Sequence, residues 1–168
     1  MEHTTQNHDR IEVADTPSTA YVRIHGRATF KTAPDFRDFA LHEVEMQRHG
    51  ILVDLGDCES LDSTFVGVLT SLTLRLKRTG AGVLKLFNLN DHLCEILRTL
   101  GLLSVLDVAA GPVAPSPAYS QLVMGQHNRV DIAHLMLDAH ETLASLSDTN
   151  AVQFKDVVRY LRDRLQGE

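Results

Sequence analysis

Asp62-Ser63-Thr64 is the place in this chain where residue type and spacing could support chemistry. A carboxylate followed by two hydroxyls opens the apolar run Phe65-Val66-Gly67-Val68-Leu69, shortly after the apolar segment Ile51-Leu52-Val53-Asp54-Leu55. The first turn of a helix has unpaired backbone N–H groups and the positive end of the helix dipole, so it tolerates a phosphate. Phosphorylation of Thr64, or of Ser63 as the second candidate, would add about −1.5 to −2 charges beside Asp57, Glu59 and Asp62. In the free protein the dipole offsets part of that repulsion. A partner pressed on the same face would meet a desolvated dianion, and binding would weaken by electrostatic exclusion. The same tripeptide is also an ordinary helix N-cap, because Asp and Ser are favoured there in any helix.

Other reactive side chains carry weaker signals. Cys58 lies in the acidic stretch beside this site, where Asp57, Glu59 and Asp62 should raise its thiol pKa, the opposite of activation. Cys94 adjoins an apolar stripe and reads as packing, and the two cysteines have neither metal spacing nor a disulfide framework. His127, Asp131, His134 and Asp138 are spaced to share one helix face, but no third ligand stands out, so no metal is expected. Gly80-Ala81-Gly82 precedes a strand and is not a dinucleotide loop. There is no P-loop, zinc-protease or nucleophile-elbow motif. With 5% aromatic residues and no tryptophan, an aromatic-lined substrate platform is not expected either. The expectation is a protein that is not an enzyme and carries no cofactor.

The elements that must position Asp62-Ser63-Thr64 can be read from periodicity. Tyr21 to His25 alternates as a half-buried strand stopped by Gly26, and Ile11 to Val13 is a weaker strand able to pair with it across Thr16-Pro17-Ser18. Thr32, Pro34 and Asp35 resemble a partial capping box for a helix running through Phe36, Phe39, Ala40, Val44 and Met46 to Gly50. Ile51 to Leu55 reads as a central strand, 56–61 as an acidic loop, and Ser63 to Thr79 as a helix closed by Gly80. Val83 to Phe87 is a further strand, Asn90 caps a helix ending at Gly101, and Ser104 to Val108 is a last edge strand. Strands alternating with helices imply βαβ units, and hence an α/β fold with a mostly parallel sheet.

Gly111 to Pro117 is a Pro-rich stretch at which the α/β unit must stop. Beyond it, Ile132, Met136, Ala139, Leu143 and Leu146 form a heptad-like stripe. Phe154, Val157, Val158, Leu161 and Leu165 form another, after a turn in which Asn150 and Gln153 stand in capping-box relation. A helical hairpin of this size has a face it cannot bury alone. It must dock on the α/β unit or on another copy of the chain. The expected organisation is a flexible N-terminus at 1–10, a domain at 11–110, a linker at 111–121 and the hairpin at 122–166.

The bulk composition sets outer bounds. At 168 residues, 43% of them apolar, the chain can bury one principal core. A net charge of −6 argues against a nucleic-acid partner. No apolar run approaches the ~18–20 residues of a membrane helix, and the polar N-terminus has no signal-peptide core. A cytoplasmic protein is expected.

The element order over 11–110 resembles the STAS domain family, typified by bacterial anti-sigma factor antagonists. The carriers are Ile24-His25-Gly26, the strand Leu52-Val53-Asp54-Leu55, the segment Leu61 to Leu69, and Leu97 to Leu102 with Gly101. Against the family pattern Asp-Ser-Ser/Thr-Gly-Leu-Gly, Asp62 matches the aspartate and Ser63 the first hydroxyl. Thr64 matches the phospho-acceptor and Gly67 the second glycine. Phe65 departs from the pattern, standing where the family often has glycine. The resemblance implies a regulatory module that binds an anti-sigma factor with serine/threonine kinase activity through Asp57, Cys58, Asp62, Ser63, Thr64 and Phe65. Phosphorylation at Thr64 or Ser63 would end that interaction. The competing expectation is a constitutive assembly module, unphosphorylated, that oligomerises through the hairpin at 122–166.

Overall fold

The computed structural model describes residues 9–111, 113 and 118–167. Most of the expected flexible N-terminus and most of the Pro-rich stretch lie outside the described residues. β1 (Arg10–Asp15) and β2 (Thr19–Ala28) form an antiparallel pair. They are followed by α1 (Ala33–Glu45), β3 (Gly50–Leu61), α2 (Ser63–Thr79), β4 (Val83–Phe87), α3 (Asp91–Thr99) and β5 (Asp107–Ala109). Then come β6 (Ser120–Gln121), α4 (Arg129–Ala144) and α5 (Asp148–Gln166). The sheet order is β5-β4-β3-β2-β1-β6, with β2 through β5 parallel. Each parallel neighbour is reached by one helical crossover moving in one direction, which puts α1, α2 and α3 on one face.

Side-chain alternation agrees. Ala20, Val22 and Ile24 of β2, Ile51, Val53 and Leu55 of β3, and Leu84 and Leu86 of β4 are buried in one core, whereas Arg23, His25, Asp54 and Lys85 are only partly buried. On that polar face His25 presents Nε2 to Glu12 at 2.8 Å and Nδ1 to Asp57 at 3.2 Å. The hydrogen bond from His25 is the largest cause holding the Glu12 carboxyl below its usual 4.5. Folding is therefore favoured by ionised Glu12 above its unfolded pKa, and that contribution disappears as pH falls through the lowered folded value. For a partly exposed pair the expected contribution is about 1 kcal/mol or less. Urea unfolding should show this contribution in full at pH 7 and its loss in steps below pH ~4.5, and His25→Ala should remove most of the step; an unchanged step in the variant would refute the assignment.

Several boundaries differ from expectation. β3 runs on through Gly56, Asp57, Cys58 and Glu59, which the sequence presents as an acidic loop. Its register against β2 shifts between Arg23 and His25 and again between Gly26 and Arg27. Those irregularities take up extra residues and return Cys58 and Leu61 to the core side. α1 ends at Glu45, before Gly50, and Gln47 takes the left-handed position at φ 60. The Thr32 side chain makes no cap bond to α1, and Asp35 does not reach back to it, because Asp35 Oδ1 accepts from Gly125 N at 2.8 Å. β5 begins three residues later than the edge strand expected at Ser104. β6, inside the expected linker, joins the sheet beside β1. α5 starts at Asp148, capped by Ser147, and the Asn150 side chain donates to Leu100 O at 3.0 Å and Leu143 O at 3.1 Å.

The C-terminal hairpin docks on its own chain. Leu135, Ala139 and Leu143 of α4 and Phe154 and Val158 of α5 belong to the same core cluster as α2. The buried face of α4 is rotated from the heptad-like stripe, with Ala133 and Leu135 more buried than Ile132 and Met136, because α4 packs against α2 and α5 at once. Much of the apolar surface that could drive oligomerisation is thus covered in cis. No helix among the described residues is long and apolar enough to cross a membrane.

Candidate functional site

The site is built where β3 delivers the chain to α2. Asp62 has extended backbone, and its carboxylate accepts from Phe65 N at 2.8 Å through Oδ1, capping α2. Its other oxygen accepts from Phe30 N at 2.8 Å. One aspartate therefore fixes the start of α2 and the loop entering α1. Gly80, at φ 66, ends the helix in the left-handed conformation that a C-terminal cap requires.

The two hydroxyls that follow have different environments. Thr64 is 2% exposed and Phe65 fully buried, stacked on Phe36 with ring centroids 5.0 Å apart. Ser63 is only partly buried. Its Oγ lies 2.8 Å from Nε2 of His140, which α4 brings from 77 residues away. His140 is itself 4% exposed, with Nδ1 2.6 Å from Met136 O and its ring edge-on to Phe154 at 5.6 Å. A carbonyl can only accept, so Nδ1 carries a proton. In the neutral ring Nε2 is then an acceptor, and Ser63 donates to it.

Ser63 also borders a groove of about 410 Å³ between α3 and α5, lined by His92, Glu95, Ile96, Leu100 and Phe154 among others. The residues proposed from sequence therefore divide. Asp57 and Glu59 are exposed, Asp62 and Ser63 are half-buried, and Cys58, Thr64 and Phe65 face the interior. The Cys58 thiol is pushed up to about 11, as expected in direction, but burial is the main cause and Glu59 adds little. His127 lies ahead of α4, hydrogen-bonded to Asp35 at 2.9 Å, so it does not share a helix face with Asp131, His134 and Asp138. His140 had no sequence signal, since nothing in local spacing links it to Ser63.

Residues 11–107 match a family model described as Mlab, STAS domain, which is more than half of the chain. This chain belongs to the STAS domain family. Solved structures agree on the fold. A Thermotoga maritima protein described as an anti-sigma factor antagonist is 17% identical, with TM-score 0.54 over 61% of this chain and 86% of that one. The anti-sigma factor antagonist SpoIIAA in its unphosphorylated form is 14% identical, with TM-score 0.50 over 61% of this chain and 89% of that one. An anti-sigma factor antagonist from Mycobacterium paratuberculosis is 17% identical, with TM-score 0.51 over 58% and 82%. No curated protein matches in sequence. The STAS match stops before α4, so the helix supplying His140 lies outside it.

Proposed function

We propose that this STAS domain is a cytoplasmic regulatory module that binds an anti-sigma factor with serine/threonine kinase activity, and that phosphorylation at the start of α2 ends the interaction. The kinase and its ATP belong to the partner. The observation that carries this reading is the half-buried Ser63 on the first turn of α2, at the lining of the groove between α3 and α5 and preceded in the chain by Asp57, Glu59 and Asp62. A dianion added there is tolerated by the helix start in the free protein and penalised at a docked face. The burial of Thr64 moves the preferred acceptor from Thr64 to Ser63.

Intact-mass analysis of protein purified from its own host tests the switch. One phosphoryl group that Ser63→Ala removes and Thr64→Ala leaves in place supports it. A chain unmodified under every growth condition, or a partner indifferent to Ser63→Asp, would sink it. Thr64 burial and the hairpin covering α2 also favour a second reading, a constitutive interaction module in which Asp62-Ser63-Thr64 only caps the helix. In that case partner binding should survive every substitution at Ser63 that preserves α2.

A further inference from the structure

We infer that His140 is a general base built into the C-terminal hairpin, making Ser63 reactive toward phosphorus electrophiles and thereby the acceptor of the switch. This rests on the regulatory reading above and adds to it the residue that takes the proton. The geometry is that of an activated nucleophile. Hydroxyl and base lie within hydrogen-bond reach, and a third group, Met136 O, holds the base in one tautomer. His140 is buried with its ring edge-on to Phe154, while Ser63 borders the groove between α3 and α5. A phosphoryl donor arriving through the groove meets Ser63 at its lining. Thr64, 2% exposed, has no such approach.

In the transfer, Ser63 Oγ forms a bond to the γ-phosphorus of a nucleoside triphosphate held by the partner kinase. The bond from that phosphorus to the β,γ-bridging oxygen breaks, and the nucleoside diphosphate leaves with the electron pair. The Oγ proton passes to His140 Nε2, while Nδ1–H continues to donate to Met136 O. The resulting imidazolium can donate from Nε2 to the new phosphate, which ties α4 to α2 in the modified state. The hairpin is thus both the source of the base and the element that the phosphate holds down.

Diisopropyl fluorophosphate tests the base without any kinase. Ser63 Oγ attacks phosphorus, the P–F bond breaks, fluoride leaves with the electron pair, and His140 takes the proton. Intact mass and peptide mapping should place one adduct on Ser63, absent in Ser63→Ala. His140→Ala should label on the order of 100-fold more slowly, the usual range for a lost general base, and added imidazole should restore much of the rate. His140→Gln, which keeps bulk and polarity, should be as slow, with hydrogen exchange in α4 and α5 reporting whether the hairpin remains docked. Absence of a Ser63 adduct, or an undiminished rate in both His140 variants, would overturn the proposal. An adduct on a chain that its host never phosphorylates retains the base and removes the switch. Phosphate on Ser63 in a chain inert to the fluorophosphate retains the switch and removes the base.

Discussion

Gly67→Leu is expected to lift the hairpin off α2 while leaving the STAS sheet folded. A Cβ at Gly67 would stand 2.5 Å from Ala139 O and 2.6 Å from Ala139 Cβ. Those are atoms of the facing backbone and of a one-carbon side chain, so no rotamer change can relieve the clash. α4 must move as a body. Overpacking of this kind typically costs about 1–3 kcal/mol, and a bulky side chain on a helix–helix contact belongs at the upper end. Because α4 carries His140, the movement also separates it from Ser63. Amide exchange is the measurement: α4 and α5 should lose protection while β2, β3 and β4 keep theirs. Protection unchanged in α4 would mean that the contact is not decisive for docking. Ala139→Leu attacks the same contact from the other side, so the double variant should cost less than the sum of the two.

Gly67 illustrates what sequence could and could not tell. Its match to the family pattern placed it on α2, but nothing local disclosed that a second helix would cross there. Elements specified by neighbouring residues were legible. Asp62 and Gly80 bracket α2, and Asn90 caps α3 through Leu93 N at 2.8 Å. Elements specified by distant partners were not. The continuation of β3 through Gly56 to Glu59 depends on register shifts against β2, and its alternation is obscured by charged residues on the polar face. β6 has two residues and exists only because β1 offers an open edge. Asp35 looked like part of a cap and instead holds the segment entering α4, through Gly125 and His127. The hairpin's apolar stripes were readable, but their target was not, since the same pattern serves docking in cis or in trans. The pairing of Ser63 with His140 belongs to this second class, because only the docked hairpin creates it.

Phe65→Gly, which restores the residue the family often has after its acceptor, is expected to be the most destabilising single change near the site. Read from sequence, Phe65 stands where the family often has glycine, bulk that could either occlude a kinase cleft or provide a different apolar contact. In the fold its ring is fully buried against Phe36 of α1 at a centroid separation of 5.0 Å, so it joins α2 to α1 inside the core. Truncating a buried phenylalanine costs about 3–5 kcal/mol, and glycine in a helix adds up to roughly 1 kcal/mol. Against a typical domain stability of about 5–15 kcal/mol that is a large fraction. Phe65→Leu, which keeps most of the apolar volume, should lose much less. Urea denaturation of the two variants checks the ordering, and a Phe65→Gly loss below about 1 kcal/mol would contradict a core role for the ring. The consequence for the switch follows from the magnitude. Removing Phe65 to make the site resemble the family would loosen α1 from α2 and disturb the helix start that carries Ser63, so any change in phosphorylation would report damage to the fold. Ser63 and His140 alter the chemistry while leaving the Phe36–Phe65 contact in place, and the modification is to be tested there.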